Sequence, residues 1–225
     1  MRINIAIDGP SAAGKSTIAK LTAKRLGYVH LDTGAMYRCT ALKAVREGIS
    51  LDDEPAVCRM LENTDIRLTP DGEVFLDGEN VSAEIRTDEI SMAASDVSKL
   101  KQVRADLVKR QQEMARAKGF IMDGRDIGTV VLTDAEVKIY LTASAHARAL
   151  RRLKQNKEQL NISTSDLETI EKEIEARDYQ DMHRENSPLR KADDAVEIDS
   201  SDLTIDEVAD RIYALVEPFL LKEEN

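Results

Sequence analysis

The chain opens on a short run of β-branched apolar residues, 3–7, that stops at Asp8-Gly9-Pro10. Such a run, closed by turn residues, predicts a buried strand. From about Gly14 the spacing changes: Ile18, Leu21, Ala23 and Leu26 recur at helical intervals until Gly27 breaks the pattern. A second short strand over 28–31 ends at Asp32, and a helix over 35–46 follows, stopped by Gly48. Strand, turn, helix, strand, helix predicts an α/β fold around a parallel sheet.

The middle of the chain reads differently. Short alternating runs near 66–69, 74–76 and 80–81 are separated by Pro70-Asp71-Gly72 and Asp77-Gly78. Asp-Gly between alternating runs is a strong hairpin signal, so a small antiparallel insert is expected at about 62–84. Helical spacing resumes over 87–98 and 101–118. Strands are expected at 120–122, ending at Asp123, and at 137–141. Charge-rich helices over 143–154 and about 165–183 precede a last strand at 195–198. Thr204-Ile-Asp-Glu207 fits a capping box and predicts a final helix to about Leu220.

With 225 residues the chain allows one large domain, or one domain carrying inserts. No apolar run approaches the ~20 residues a membrane span requires. The opening run is too short for a signal peptide, and we expect a cytoplasmic protein. Cys39 and Cys58 are too few for a disulfide scaffold and read as free thiols. Lys and Arg total 32 against 42 Asp and Glu, a net charge of −10. That balance argues against a general nucleic-acid binder, which needs a basic face. It leaves room for a phosphorylated small substrate held by a local arginine cluster.

Gly9-Pro10-Ser11-Ala12-Ala13-Gly14-Lys15-Ser16 matches G-x-x-x-x-G-K-[ST], and Thr17 follows it. The glycines let main-chain N–H groups turn inward as an anion nest at a helix N-terminus. Lys15 can then reach the β- and γ-phosphates, and the Ser16 hydroxyl can ligate Mg²⁺. From average composition the bare pattern arises by chance in roughly one chain of this length in a hundred. Here it also sits between a predicted strand and a predicted helix, the context it requires. Asp123, ending an apolar strand, is the candidate carboxylate for the Mg²⁺ shell, directly or through water.

A phosphate loop implies a nucleotide and leaves the activity open. A guanine-reading switch would need N-K-x-D and D-x-x-G. The Asn-Lys present, Asn156-Lys157-Glu158-Gln159, has Gln where Asp is required, and no Asp is followed three residues later by Gly. The arginines point instead to phosphoryl transfer between two nucleotides, which gathers several guanidiniums. Arg38 follows Asp32-Thr33-Gly34 by one helical turn. Arg125 lies between Asp123 and Asp126. Arg148, Arg151 and Arg152 sit close together, and Arg177, Asp181 and Arg184 fall at i, i+4, i+7 on one predicted helix face. His30, His146 and His183 show no nucleophile or metal spacing.

The chain resembles bacterial cytidylate (CMP) kinases from end to end. The resemblance is carried by Ile7-Asp-Gly-Pro-Ser-Ala-Ala-Gly-Lys-Ser16, Leu31-Asp-Thr-Gly-Ala-Met-Tyr-Arg38, Glu84-Ile-Arg86, Asp123-Gly-Arg-Asp-Ile-Gly-Thr129 and Arg177-Asp178. The Asp-Gly-Arg-Asp segment together with the insert is specific to this family among P-loop kinases. The resemblance implies an α/β P-loop nucleoside monophosphate kinase in one unit. Its core with a central parallel sheet would span about 1–34, 100–145 and 190–225. An NMP-binding region with the insert would span about 35–99, and a short helical lid about 148–165. It implies ATP and CMP or dCMP as substrates, with Mg²⁺, in pyrimidine metabolism; we expect a monomer. It assigns Gly9 through Thr17 to ATP, and Thr33, Arg38, Arg125 and Arg184 to the CMP phosphate. Ser95, Arg104 and Asp126 would read cytosine, and Arg177 and Asp181 the ribose. Lys15, Arg125, Arg148 and Arg152 would carry the catalytic charge. Thr33 stands where relatives often carry Ser, which keeps the hydroxyl. Two other readings remain: a P-loop kinase for UMP, another NMP or a coenzyme precursor, and a non-catalytic regulator whose acidic helices at 168–175 and 206–217 bind a partner.

Overall fold

The structure, a computed structural model, describes residues 2–158 and 166–221. In chain order, β1 (Ile5–Asp8) leads into α1 (Lys15–Leu26), β2 (Val29–Asp32) and α2 (Thr33–Arg46). Then come α3 (Glu54–Glu62), the short strands β3 (Ile66–Leu68), β4 (Val74–Leu76) and β5 (Glu79–Asn80), and the helices α4 (Asp88–Val97) and α5 (Lys101–Ala115). The chain continues through β6 (Phe120–Gly124), β7 (Val137–Thr142), α6 (Ala145–Glu158), α7 (Leu167–His183), β8 (Val196–Asp199) and α8 (Ile205–Leu220). Among the described residues no helix is long and apolar enough to cross a membrane.

β1 lies at the centre of a five-stranded parallel sheet with order β2-β6-β1-β7-β8. Its side chains divide by the two-residue period of a strand. Ile5 and Ile7 join Ile121, Ile139 and Leu141 beneath Ile18 of α1 and Val208, Ile212 and Val216 of α8. Ala6 faces the other way, with Leu31, Met122, Met36 of α2 and Leu107 of α5. Both faces are covered, so the strands read as near-continuous apolar runs.

The register decides where the chemistry goes. Asp32 of β2 pairs with Asp123 of β6, and Asp8 of β1 pairs with Gly124. The strand-end carboxylates foreseen from the sequence therefore share one edge of the sheet. From β1 the chain leaves for β2 on one side, while β7 flanks it on the other. The crevice outside that reversal is where open α/β sheets bind ligands. Gly9 makes the exit from β1 possible: its φ is 149°, and a Cβ there would lie 1.9 Å from the Leu141 carbonyl oxygen.

The insert is a three-stranded antiparallel sheet, β3-β4-β5, as expected. Asp77 and Gly78 (φ 49° and 86°) make the tight turn between β4 and β5. Ile66, Val74 and Leu76 bury into the core shared with α2 and α5, so the insert is packed onto the sheet domain. The capping box of α8 is present, with Thr204 accepting from the Glu207 amide at 3.2 Å and the Glu207 carboxylate accepting from Thr204 N at 2.8 Å.

Three local expectations shift. β1 begins at Ile5; ahead of it the Ile3 carbonyl accepts from Gly119 N, 2.9 Å, at the turn that ends α5 three residues early. α2 begins at Thr33, capped by Asp32, whose Oδ1 accepts from Ala35 N at 3.1 Å. Helix α3 went unforeseen, although Asp53 caps it by accepting from Ala56 N at 3.0 Å and Pro55 stands in its first turn. The proposed lid reaches beyond Glu158, and its residues 159–165 lie outside the described residues.

Candidate active site

The segment between β1 and α1 wraps as the motif requires, and Ser11 through Thr17 line a cleft of about 600 Å³. Gly9 and Pro10, which the resemblance assigns to ATP, are buried and are not among the residues that line it. Lys15 is buried, and its ammonium donates to the Pro10 carbonyl at 2.6 Å. Burial, then the nearby Arg125 charge, lowers its pKa to about 7. The Ser16 hydroxyl donates to Asp123 Oδ2 at 2.7 Å. On the far side of Asp123, His30 Nε2 lies 2.6 Å from Oδ1. An ionised carboxylate only accepts, so the imidazole donates there. His30 thus braces a carboxylate of the site, a contact its sequence position did not announce.

Opposite this loop, guanidiniums arrive from separate elements. Arg38 of α2 donates to Asp32 Oδ2 at 2.7 Å. Burial alone would raise the Asp32 carboxyl, but the Arg38 charge, together with His30, Arg86 and the Ala35 amide, outweighs it and holds it below the usual range. Arg125, just beyond β6, donates through Nε to Asp181 Oδ2 of α7 at 2.8 Å. Burial opposes ionisation of Asp181, yet Arg125, Arg184 and Arg177 together depress its pKa. Arg177 is lowered to about 10 by burial and then by the positive charge of Arg125. Burial and the Arg104 charge likewise lower Arg184. Arg38 Nε, Arg104 Nε, Arg177 Nε and Arg184 Nη2 are buried and have no hydrogen-bond partner among the described residues. A buried donor without an acceptor is costly, and here several border one cleft.

At the end of the cleft near α5, the Arg104 Nη2 donates to Asp126 Oδ2, and both side chains are buried. Arg104 Nη1 also donates to the Ser98 carbonyl at 3.2 Å, and its guanidinium lies 5.4 Å from the Tyr37 ring centroid. Burial pushes the Tyr37 phenol up to about 12. Ser95 lines the same wall and donates to Gln180 Oε1 at 3.4 Å.

Thr33, Arg38, Ser95, Arg104, Arg125, Asp126, Arg177, Asp181 and Arg184 all border this cleft with the phosphate loop. The Thr33 hydroxyl donates to the Asp123 carbonyl at 2.7 Å. Arg184 reaches the cleft from the C-cap of α7 (φ −64°, ψ 144°), not from a continuing helix face. The arginines of α6 diverge. Arg152 borders the cleft and donates to Asp88 Oδ1 of α4 at 3.1 Å. Arg151 donates to the Ser200 carbonyl. Arg148 does not border the cleft: it is buried behind the loop, donating to Asp178 Oδ2 at 2.5 Å and to the Ser11 carbonyl at 3.0 Å. Asp32, Tyr37 and Arg86 also border the cleft, and residue spacing gave none of them a role.

A family model described as Cytidylate kinase matches residues 5–218. A cytidylate kinase of Caldicellulosiruptor saccharolyticus is 52% identical over 217 residues, covering 95% of each chain. One from Bacillus subtilis is 50% identical over 220 residues, covering 96% of this chain and 97% of the relative. A solved structure of an uncharacterized protein from Eubacterium ventriosum matches with a TM-score of 0.53 at 13% identity, covering 97% of this chain and 99% of that one. That last likeness is one of fold alone.

Proposed function

The chain belongs to the cytidylate kinase family, and from this we propose that it transfers the γ-phosphoryl group of ATP to CMP or dCMP, giving ADP and CDP or dCDP. The observation that carries the reading is the set of buried guanidinium nitrogens on Arg38, Arg104, Arg177 and Arg184 that have no partner among the described residues, in one cleft with the phosphate loop. Side chains that keep positive charge out of water without enough acceptors suit an anionic ligand.

The main-chain amides of residues 12–17 and the Lys15 ammonium hold the ATP phosphates. Arg38, Arg125 and Arg184, with Thr33, hold the acceptor phosphate, and Arg177 and Asp181 take the ribose. The acceptor is already an anion, so no general base is needed and transfer is direct and in line. Lys15 and the arginines neutralise the charge that spreads over the transferring group. The hydroxyl of Ser16 and the carboxylate of Asp123 are hard oxygen donors 2.7 Å apart, a set that fits Mg²⁺, which takes few protein ligands and completes its shell with phosphates and water. When bound, the ion offsets phosphate charge; His30 keeps Asp123 turned toward Ser16.

Cytosine presents a 4-amino donor where uracil presents a carbonyl. Asp126 accepts from the amino group and faces the uracil oxygen unpaired, while Arg104 donates to the acceptor edge of cytosine and Ser95 completes the wall. An unpaired buried group costs ~1–3 kcal/mol, and more if charged, which gives about tenfold or greater preference for CMP over UMP. Arg152, tied to Asp88 across the cleft mouth, belongs to a lid over 148–165 that closes with the 35–99 region to exclude water. Arg148 supports the loop from behind and contributes its charge from there. The remaining segments, 1–34, 100–145 and 190–225, form the core. We take the protein to act as a cytoplasmic monomer.

Incubation with ATP, Mg²⁺ and CMP, with products resolved by anion-exchange chromatography, tests the reading. Equal amounts of ADP and CDP are expected. ATP hydrolysis that ignores CMP would overturn it.

A further inference from the structure

Asp8 is a buried carboxylate at the last position of β1, and the chemistry above gives it no contact with either nucleotide. Its partners are two consecutive main-chain amides. Oδ1 accepts from Ile127 N at 2.7 Å, and Oδ2 accepts from Gly128 N at 2.7 Å. Both bonds are charge-assisted and directional. The two amides directly follow Arg125 and Asp126, and they open the wide, π-helical turn over Ile127–Val131. Within that turn the Val130 amide donates back to the Asp126 carbonyl at 2.9 Å, so the turn and the base-reading residue move together. On its other side Asp8 is joined covalently to Gly9, the first residue of the phosphate loop. One side chain therefore links the strand that launches the donor site to the backbone that presents the acceptor site.

Resting on the kinase reading above, we propose that Asp8 is a positioning residue for acceptor recognition: by clasping the Ile127 and Gly128 amides it fixes the backbone that aims Arg125 at the acceptor phosphate and Asp126 at the base. The clasp needs a carboxylate. An asparagine offers one acceptor oxygen, and its amino group would confront the second N–H donor. Nor does the charge favour the fold by itself. Burial pushes the Asp8 carboxyl up to about 6, with the Asp126 charge adding to the rise, and the two amide bonds and Lys15 offset only part of it. At neutral pH the ion is thus held against its own burial, and what it supplies is geometry.

Asp8→Asn tests the proposal. At pH 7.5 the KM for CMP is expected to rise and the ratio of kcat/KM for CMP over UMP to fall by about fivefold or more, the cost of one mispaired buried donor. ATP affinity, measured by calorimetry without CMP, is expected to fall less than CMP affinity, because the phosphate-loop amides are untouched and only the Asp8 charge beside Lys15 is lost. Because Asp8 acts through Asp126, the double variant Asp8→Asn, Asp126→Asn is expected to discriminate no worse than Asp126→Asn alone. Unchanged CMP KM and discrimination in Asp8→Asn, a loss of ATP affinity as large as the loss for CMP, or full additivity in the double variant would each overturn the proposal. If Asp8→Asn does not fold, Asp8→Glu decides. It keeps the charge beside Lys15 but carries the carboxylate one methylene too far to accept from both the Ile127 and Gly128 amides at 2.7 Å. A raised CMP KM with unchanged ATP affinity supports the role, and an unchanged CMP KM overturns it. Should the wild-type protein make no CDP, the kinase reading itself would fall.

Discussion

Lys15 offers a prediction whose size follows from its surroundings. Burial and the Arg125 charge lower its pKa to about 7 in the free protein. About half of the molecules then carry the Lys15 proton at pH 7, and about a tenth at pH 8. The ATP phosphates favour the ammonium and restore the proton on binding. Binding at pH 8 should therefore take up about 0.9 proton per ATP, and apparent affinity should fall about 50-fold between pH 7 and pH 9, or about 2.3 kcal/mol. The sign is that of a depressed base: the charged form dominates below the lowered pKa, so raising the pH removes the state that binds. ATP itself is fully ionised at pH 8, since the second ionisation of a phosphate lies near 6. Calorimetric titrations in two buffers of different ionisation enthalpy measure the uptake. Lys15→Arg, charged throughout, should abolish it. No uptake at pH 8, or the same uptake in Lys15→Arg, would refute the reasoning.

Three further outcomes are expected. Asp126→Asn, whose amide can donate to the uracil carbonyl, should narrow the CMP/UMP ratio of kcat/KM by about 5- to 100-fold; full discrimination in a coupled assay would remove Asp126 as the base reader. Asp178→Ala leaves the buried Arg148 guanidinium without its carboxylate and Ser11 N without its 3.2 Å acceptor, which should lower stability by about 3–5 kcal/mol in urea unfolding. A loss under about 1 kcal/mol would mean that water reaches Arg148. Gly9→Ala places a Cβ 1.9 Å from the Leu141 carbonyl oxygen, so a folded protein with the wild-type melting temperature would contradict the packing described at the exit of β1.

Features that live in a few adjacent residues were legible in the sequence. The phosphate loop, the Asp77-Gly78 hairpin and the Thr204-Glu207 cap each declare themselves within ten residues, because turn conformation and helix-end hydrogen bonding are local. Convergence is another matter. Arg38, Arg104 and Arg125 come from separate elements, Arg177 and Arg184 from α7 and its C-cap, and only the family resemblance groups all five around one ligand before the fold brings these elements together. Spacing also failed to separate neighbours. Arg148 and Arg152 are one helical turn apart, yet one is buried behind the phosphate loop and the other crosses the cleft mouth to Asp88. The difference lies in what α6 packs against, which no periodicity records. The sequence around Asp8 marks only a strand end, and His30 shows no nucleophile or metal spacing, because their partners, Ile127 with Gly128 and Asp123, lie some ninety or more residues away along the chain. Helix α3 is the opposite case: its Asp53 cap and Pro55 are local signals, but at 9 residues it is too short for helical periodicity to stand out beside the β insert.

A crystal structure of the protein with CMP bound tests the central claim most directly. The account predicts the phosphate oxygens within hydrogen-bond reach of Arg38, Arg125 and Arg184, with the 4-amino group on Asp126. A nucleotide seated elsewhere, or one whose base turns to solvent while those guanidiniums stay unpartnered, would contradict it.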